Sequence, residues 1–214
     1  MNKLTLYHYW RSTSSWRVRW AMDYKGVKAD LVAVNILENQ TESPEHLKRN
    51  PMGYVPVLEI PTARKPVYLS ESLAIIQWFE QTEPRHPLIP EHPISRARAW
   101  QLTELVNSGI QPLQNTGVAE KFSDDPEKRK AWQVFWITKG LTAYEALVQE
   151  TAGKFSIGDS FTLADLVLGP QLYAAARNEI DTGQFPSISR IHGNLILMES
   201  YQSSHPDRYA PKAV

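Results

Sequence analysis

Two hydrophobic periods alternate along the first 80 residues. Lys3 to Tyr9 is short and rich in Leu and Tyr, which predicts a strand. Ser12 to Ser15 is a run of hydroxyls, suited to a loop and a helix N-cap. From Ser15 to Lys25 the apolar positions Val18, Ala21 and Met22 share one helical face. Gly26 follows as a C-terminal cap. Leu31 to Val34 reads as a second strand, and Ser43 to Lys48 as a short helix with Pro44 in its first turn. After the turn-rich Asn50-Pro-Met-Gly-Tyr-Val-Pro56, strand character resumes at Val57 to Ile60. Pro66 to Leu69 is a weaker strand. Ser70 to Glu80 is helical, with Leu73, Ile76 and Phe79 in register. This order predicts a small mixed sheet with helices packed on it.

Pro84, Pro87, Pro90 and Pro93 then interrupt any helix and mark a linker. Beyond it the strand pattern fades. Arg96 to Ser108, Pro126 to Thr151, Leu163 to Ile180 and Ser187 to Tyr201 all read as helices, so the second domain is expected to be all-helical. The expected division is residues 1–82, a linker at 83–93, and a helical domain at 94–214. Thr162 and Asp165 have the spacing of a capping box, with Phe161 and Leu166 placed as a hydrophobic staple.

Composition narrows the field. Lys plus Arg and Asp plus Glu number 23 each, so the net charge is zero. Nothing in that balance points to nucleic acid or an anionic membrane. The chain has no cysteine, hence no disulfide framework and no thiol nucleophile of its own. That suits a reducing compartment, and a cytoplasmic location is expected. No stretch reads as a signal peptide or a membrane span. The six histidines are scattered, without metal-site spacing.

The segment Ser12-Thr-Ser-Ser-Trp-Arg-Val-Arg19 joins the first strand to the first helix. Free backbone N–H groups and the positive end of the helix dipole gather there and stabilise an anion. With no protein thiol, a thiolate held there would arrive on a cofactor. Lowering a thiol pKa by about two units needs roughly 2.7 kcal/mol. A plain N-cap run is the alternative reading of the same residues. Glu71 and Ser72 read likewise as a helix cap, or as partners for an ammonium and a carboxylate.

Ser12-Thr13-Ser14-Ser-Trp-Arg-Val-Arg19 resembles the signature of zeta-class glutathione transferases. The resemblance continues through Asn50-Pro51-Met52, Val55-Pro56, Glu71-Ser72-Leu-Ala-Ile-Ile and Gly109-Ile-Gln-Pro-Leu-Gln-Asn115. Gly158-Asp159, Ala164-Asp165-Leu166, Pro170-Gln171 and Ser204-His205-Pro206 carry it nearly to the end. It implies a thioredoxin-like N-terminal domain followed by an all-helical C-terminal domain, with glutathione as cofactor. It further implies a cis peptide before Pro56 and pairing of the Val55 backbone with the cysteinyl part of glutathione. Glu71 and Ser72 would take the γ-glutamyl end, with Gln111 and Asn115 reaching in from the helical domain. Ser12, supported by Thr13 and Ser14, would hydrogen-bond the thiolate, and Arg177 would hold a substrate carboxylate. The implied reaction is cis–trans isomerisation of a dienone acid, maleylacetoacetate, by a homodimer, without metal.

The chain departs from the family pattern in places. Ser14 stands where a cysteine is usual, and Glu71 where many members carry glutamine. Thr41 and Glu42 align with a Gln-His pair, and an inward Glu42 would repel the glycyl carboxylate. Maleylpyruvate isomerisation, general glutathione transfer, or a non-enzymatic binding role on the same fold are the alternatives left open.

Overall fold

The computed structural model describes residues 3–211; residues 1–2 and 212–214 of the expected domains lie outside it. The chain forms two compact units. One runs to Pro87 and is rejoined by the segment from Glu199; the other is Leu88–Met198.

In the first unit, β1 (Leu4–His8) leads into α1 (Thr13–Lys25) and then β2 (Ala29–Ala33). A short α2 (Pro44–Arg49) precedes β3 (Val57–Ile60), β4 (Val67–Ser70) and α3 (Ser72–Thr82). The sheet order is β2-β1-β3-β4. β1 pairs parallel with β2 and antiparallel with β3, and β3 pairs antiparallel with β4. This mixed sheet with its helices is the expected thioredoxin-like arrangement. Ser12 caps α1, and Gly26 closes it at φ 72°, a left-handed value that favours glycine.

Three cations of α1 are buried: Arg17, Arg19 and Lys25. Lys25 Nζ meets Glu80 Oε1 at 2.7 Å and the carbonyls of Arg85 and His86 at 3.1 Å each. A buried charge is tolerable only when paired and hydrogen-bonded, so the C-terminal end of α1 is fixed to α3 and the chain beyond it.

In the second unit, α4 (Pro93–Gly109), α5 (Thr116–Phe122), α6 (Pro126–Val148), α7 (Leu163–Arg177) and α8 (Pro186–Leu195) carry the core. Helix α5 was not expected, because Gly117 at its start hides a seven-residue helix. None of the described helices is long and apolar enough to cross a membrane. The capping box at Thr162 is present. Asp165, fully buried, accepts the N–H groups of Ser156 (2.7 Å) and Thr162 (2.9 Å).

A single helix over Ser187 to Tyr201 is not formed. It is broken into α8 and α9 (Glu199–Ser204) by a turn closed from Met198 N–H to the Leu195 carbonyl. The two pieces have different partners, which one straight helix could not serve. Ile188, Ile191 and Leu195 form the buried stripe of α8. Helix α9 instead packs on α1 in the first unit. There Trp16 and Trp20 Nε1 donate to Ser204 Oγ (3.0 Å) and Ser200 Oγ (3.1 Å), and Tyr201 meets both indoles edge-on. Residues 199–211 therefore pack with the first unit, although the proline linker suggested one continuous block from 94 onward.

Glu145 of α6 caps α8 from a distance, accepting the N–H groups of Ser187 and Ile188 at 2.9 Å each. Burial raises its pKa, but the donors from Ile188 and Ser187 outweigh burial, and the carboxyl lies below its ordinary range. A depressed carboxyl stabilises the fold above its unfolded pKa, near 4.3, and that stability is lost as pH falls through the folded value. Glu145→Gln is expected to cost about 1–3 kcal/mol at pH 7. In urea melts the gap from the parent protein should shrink below about pH 4.3; a gap independent of pH would contradict this.

Candidate functional site

The register of three strands gathers the expected site residues of the first unit. Tyr7 faces Val57, and Val57 faces Ser70. The exit of β1, the entrance of β3 and the exit of β4 therefore lie side by side, with strands about 4.8 Å apart. The β1 exit leads to Ser12, Thr13 and Ser14. The β3 entrance is Val55-Pro56. The β4 exit leads to Glu71 and Ser72. All seven residues thus sit at one rim of the sheet.

Each arrives there with usable chemistry. Ser12 Oγ accepts the Ser15 N–H at 3.1 Å, and the Ser12 N–H donates to the Tyr9 carbonyl at 3.2 Å. The hydroxyl proton of Ser12 remains available, so the cap and the anion-donor readings are compatible. Thr13 and Ser14 are half-buried in the first turn of α1, where backbone N–H groups have no intrahelical acceptor. The Val55–Pro56 peptide is cis. The Val55 N–H meets no acceptor among the described residues.

Glu71 is exposed and precedes α3 at φ 67°, ψ 117°, a backbone region that side-chain-bearing residues rarely enter. Such an outlier persists only where its surroundings impose it, and outliers of this kind concentrate at ligand clamps. Ser72 is buried at the start of α3, and its Oγ accepts from Arg17 Nη1 at 3.4 Å. A buried guanidinium therefore lies beneath that helix start. Glu42 is exposed while Thr41 is buried.

Arg19 supports the loop that carries Ser12. Its guanidinium donates to the carbonyls of Trp10 (2.9 Å) and Tyr9 (3.4 Å), contacts His8 Nδ1 at 3.0 Å, and lies 4.6 Å from the Tyr209 ring centre. Burial and the Arg19 charge lower the His8 pKa to about 4, so His8 is neutral near pH 7. Arg11, given no role from sequence, stands next to Ser12, with its guanidinium 5.4 Å from the Trp10 ring centre and its buried Nε unbonded among the described residues. A signal existed: it is a cation immediately before the hydroxyl run.

Gln111, Asn115 and Arg177 belong to the second unit. Gln111 is half-buried just beyond α4. Asn115 caps α5 through Oδ1, which accepts the Gly117 N–H at 2.9 Å. The loop bearing both is fixed by residues given no role from sequence. Gln114 and Gln171 exchange amide hydrogen bonds at 2.8 and 3.1 Å, Trp132 Nε1 donates to the Leu113 carbonyl at 2.7 Å, and Gln133 donates to that of Gln114 at 2.8 Å. Arg177 is exposed at the end of α7, 5.9 Å from the Tyr173 ring centre. Ala174 and Ala175 are buried in packing, so of that alanine run only Ala176 faces outward.

A thioredoxin-like unit followed by a helical unit is the fold of the glutathione transferase class. The family description "Glutathione S-transferase, N-terminal domain" matches residues 2–81. The maleylacetoacetate isomerase of Dictyostelium discoideum is 39% identical over 210 residues, covering 96% of this chain and 94% of that protein. The crystal structure of maleylacetoacetate isomerase from Anaeromyxobacter dehalogenans, with bound GSH in its active site, is 40% identical with a TM-score of 0.90, covering 99% and 98%. A bacterial zeta-class maleylpyruvate isomerase in its holo form is 31% identical with a TM-score of 0.89, covering 98% and 100%. The chain belongs to the zeta-class glutathione transferase family that includes the maleylacetoacetate isomerases.

Ser12 can be tested as a donor apart from its role as a cap. Ser12→Ala should cost about 1 kcal/mol of stability and Ser12→Gly only a few tenths. Both should lower turnover about tenfold or more, because both remove the hydroxyl. Full activity in Ser12→Gly would leave the side chain with capping alone.

Proposed function

We propose that this chain is a glutathione-dependent cis–trans isomerase that converts maleylacetoacetate to fumarylacetoacetate, with zeta-class glutathione transferase activity. The observation that carries the reading is the convergence, at one rim, of the α1 N-terminus, the unpaired Val55 N–H and the Glu71-Ser72 turn. That set fits glutathione: N–H and O–H donors for a thiolate and a peptide carbonyl, a hydroxyl at a helix start for a carboxylate, and Glu71 for an ammonium.

When bound, glutathione supplies a thiolate that adds reversibly to an activated cis double bond, allowing rotation before it leaves. Ser12 donates its hydroxyl to the sulfur, while the first-turn N–H groups of Thr13 and Ser14 favour negative charge there. Arg19 keeps the preceding loop in place. Val55 and Pro56 hold the cysteinyl part, Glu71 and Ser72 the γ-glutamyl end, and Gln111 and Asn115 assist from the helical domain. Arg177 orients a substrate carboxylate through its guanidinium fork. The functional division stays at residues 82 and 93, with the returning segment 199–211 serving the first unit.

We place the enzyme in the cytoplasm, in tyrosine and phenylalanine breakdown, as a homodimer. The exposed apolar side chains of Met52, Tyr54 and Val67 suit burial against a second copy. Maleylpyruvate isomerisation is the second reading, supported by the likeness to a zeta-class enzyme of that activity.

Equimolar assays of the two substrates at saturating glutathione decide between them. The expected outcome is faster isomerisation of maleylacetoacetate, no turnover without glutathione, and a rise in substrate KM of about tenfold or more in Arg177→Leu, from loss of a charge-assisted bond. Turnover without glutathione would refute the proposal.

A further inference from the structure

His46 lies within α2 and is 1% exposed. Its backbone N–H donates to Ser43 Oγ at 3.2 Å, and its Nε2 lies 3.0 Å from the Tyr54 carbonyl oxygen. A carbonyl only accepts, so Nε2 carries the proton. Asn50 Nδ2 donates to the same oxygen at 3.0 Å, while Asn50 Oδ1 accepts the Met52 N–H at 3.1 Å. The loop between them is tight. Gly53, at φ 65°, donates its N–H to the Asn50 carbonyl at 2.9 Å, and a Cβ there would stand 3.2 Å from the Thr41 carbonyl oxygen.

The Tyr54 carbonyl and the Val55 N–H belong to one peptide unit. That unit is planar, and in the trans form its C=O and N–H point in opposite directions. Two donors on the Tyr54 oxygen therefore set the rotation of the whole plane. The Val55 N–H is directed away from His46 and Asn50, toward the side where it meets no acceptor among the described residues. His46 Nδ1 is buried and meets no partner among the described residues. An apolar side chain would carry no such desolvation cost, so the imidazole is explained by the bond its Nε2 makes.

We infer that His46 is a positioning residue for glutathione: by holding the Tyr54 carbonyl, it aims the Val55 N–H at the cysteinyl carbonyl of the bound tripeptide. The inference rests on the glutathione site proposed above and adds to it a residue that never touches the ligand. His46 acts on binding of the tripeptide, not on the sulfur, because α2 supports the β3 entrance and Ser12 stands on a different loop.

The test compares the parent protein with His46→Phe and His46→Gln, whose amide reproduces the Nε2–H donor. Glutathione affinity is measured by calorimetry, and kcat and KM for glutathione by isomerase assay. In His46→Phe the dissociation constant and KM should rise about three- to tenfold, the worth of one aimed hydrogen bond. The kcat at saturating glutathione should stay within about twofold, and His46→Gln should recover most of the affinity. Should His46→Phe fail to fold, His46→Asn, whose amide falls short of Tyr54, is read the same way. Unchanged affinity in the variant lacking the donor, or equal losses in Phe and Gln, would overturn the assignment. Failure of the parent protein to bind glutathione would instead strike the reading on which it rests.

Discussion

Antiparallel pairing of β3 with both β1 and β4 is the constraint on which the rest of the molecule turns. Leu58 sits opposite Leu6 on one side and Leu69 on the other. Leu6, Val57 and Leu58 are fully buried. Val57 and Leu58 fill opposite faces of the sheet, and a slip of one residue would carry Glu59 into a buried position and away from the Tyr7 hydroxyl, so this pattern locks the register. The register in turn decides that Pro56, Ser70 and the loop after His8 end at the same rim. The candidate residues of this rim need not pair directly with one another, because each follows or precedes a strand of the sheet.

Helix α1 must then be held so that its N-terminus stays at that rim. Lys25 fixes one end through Glu80 and two carbonyls. Trp16 and Trp20 hold the middle through Ser204, Ser200 and Tyr201. Arg19 ties the loop before Ser12 to the returning segment, through the Tyr9 and Trp10 carbonyls on one side and the Ser204 carbonyl and Tyr209 ring on the other. Removing any one anchor would leave a buried cation or indole short of partners, a cost of a few kcal/mol. The returning segment is thus part of the scaffold of the first unit.

Local patterns in the chain were sufficient for most of this fold. The Gly26 closure, Pro44 at the start of α2 and the strand at Val57 to Ile60 each rest on neighbours within a few residues, and the structure places them as read; the cap expected within Ser12–Ser15 falls on Ser12, so α1 starts two residues before the expected Ser15. The helix over 187–201 failed because its break answers to partners far away in sequence, the indoles of α1. His46 was passed over for a more local reason: a lone histidine has no period or spacing, and the Tyr54 carbonyl that gives it meaning is brought near only by the turn between them. Glu71 was legible as a candidate, but its left-handed backbone was not, since glutamate carries no such preference.

The energetic demand on the rim is modest. Favouring a thiolate over a thiol by about two pKa units requires roughly 2.7 kcal/mol. A helix N-terminus contributes about 0.3–1 kcal/mol when exposed and up to about 2 when partly buried. One charge-assisted hydrogen bond from a hydroxyl adds about 1.5–3 kcal/mol. Either contribution alone leaves the requirement met narrowly or not at all, whereas a partly buried helix end together with one such bond, about 3.5–5 kcal/mol, meets it. Ser12 sits where both act, because the residue whose lone pair caps α1 also stands at the positive end of that helix. On the proposed site a cysteine is dispensable at position 14: a hydroxyl and a helix start would stabilise the anion, and neither depends on sulfur in the protein.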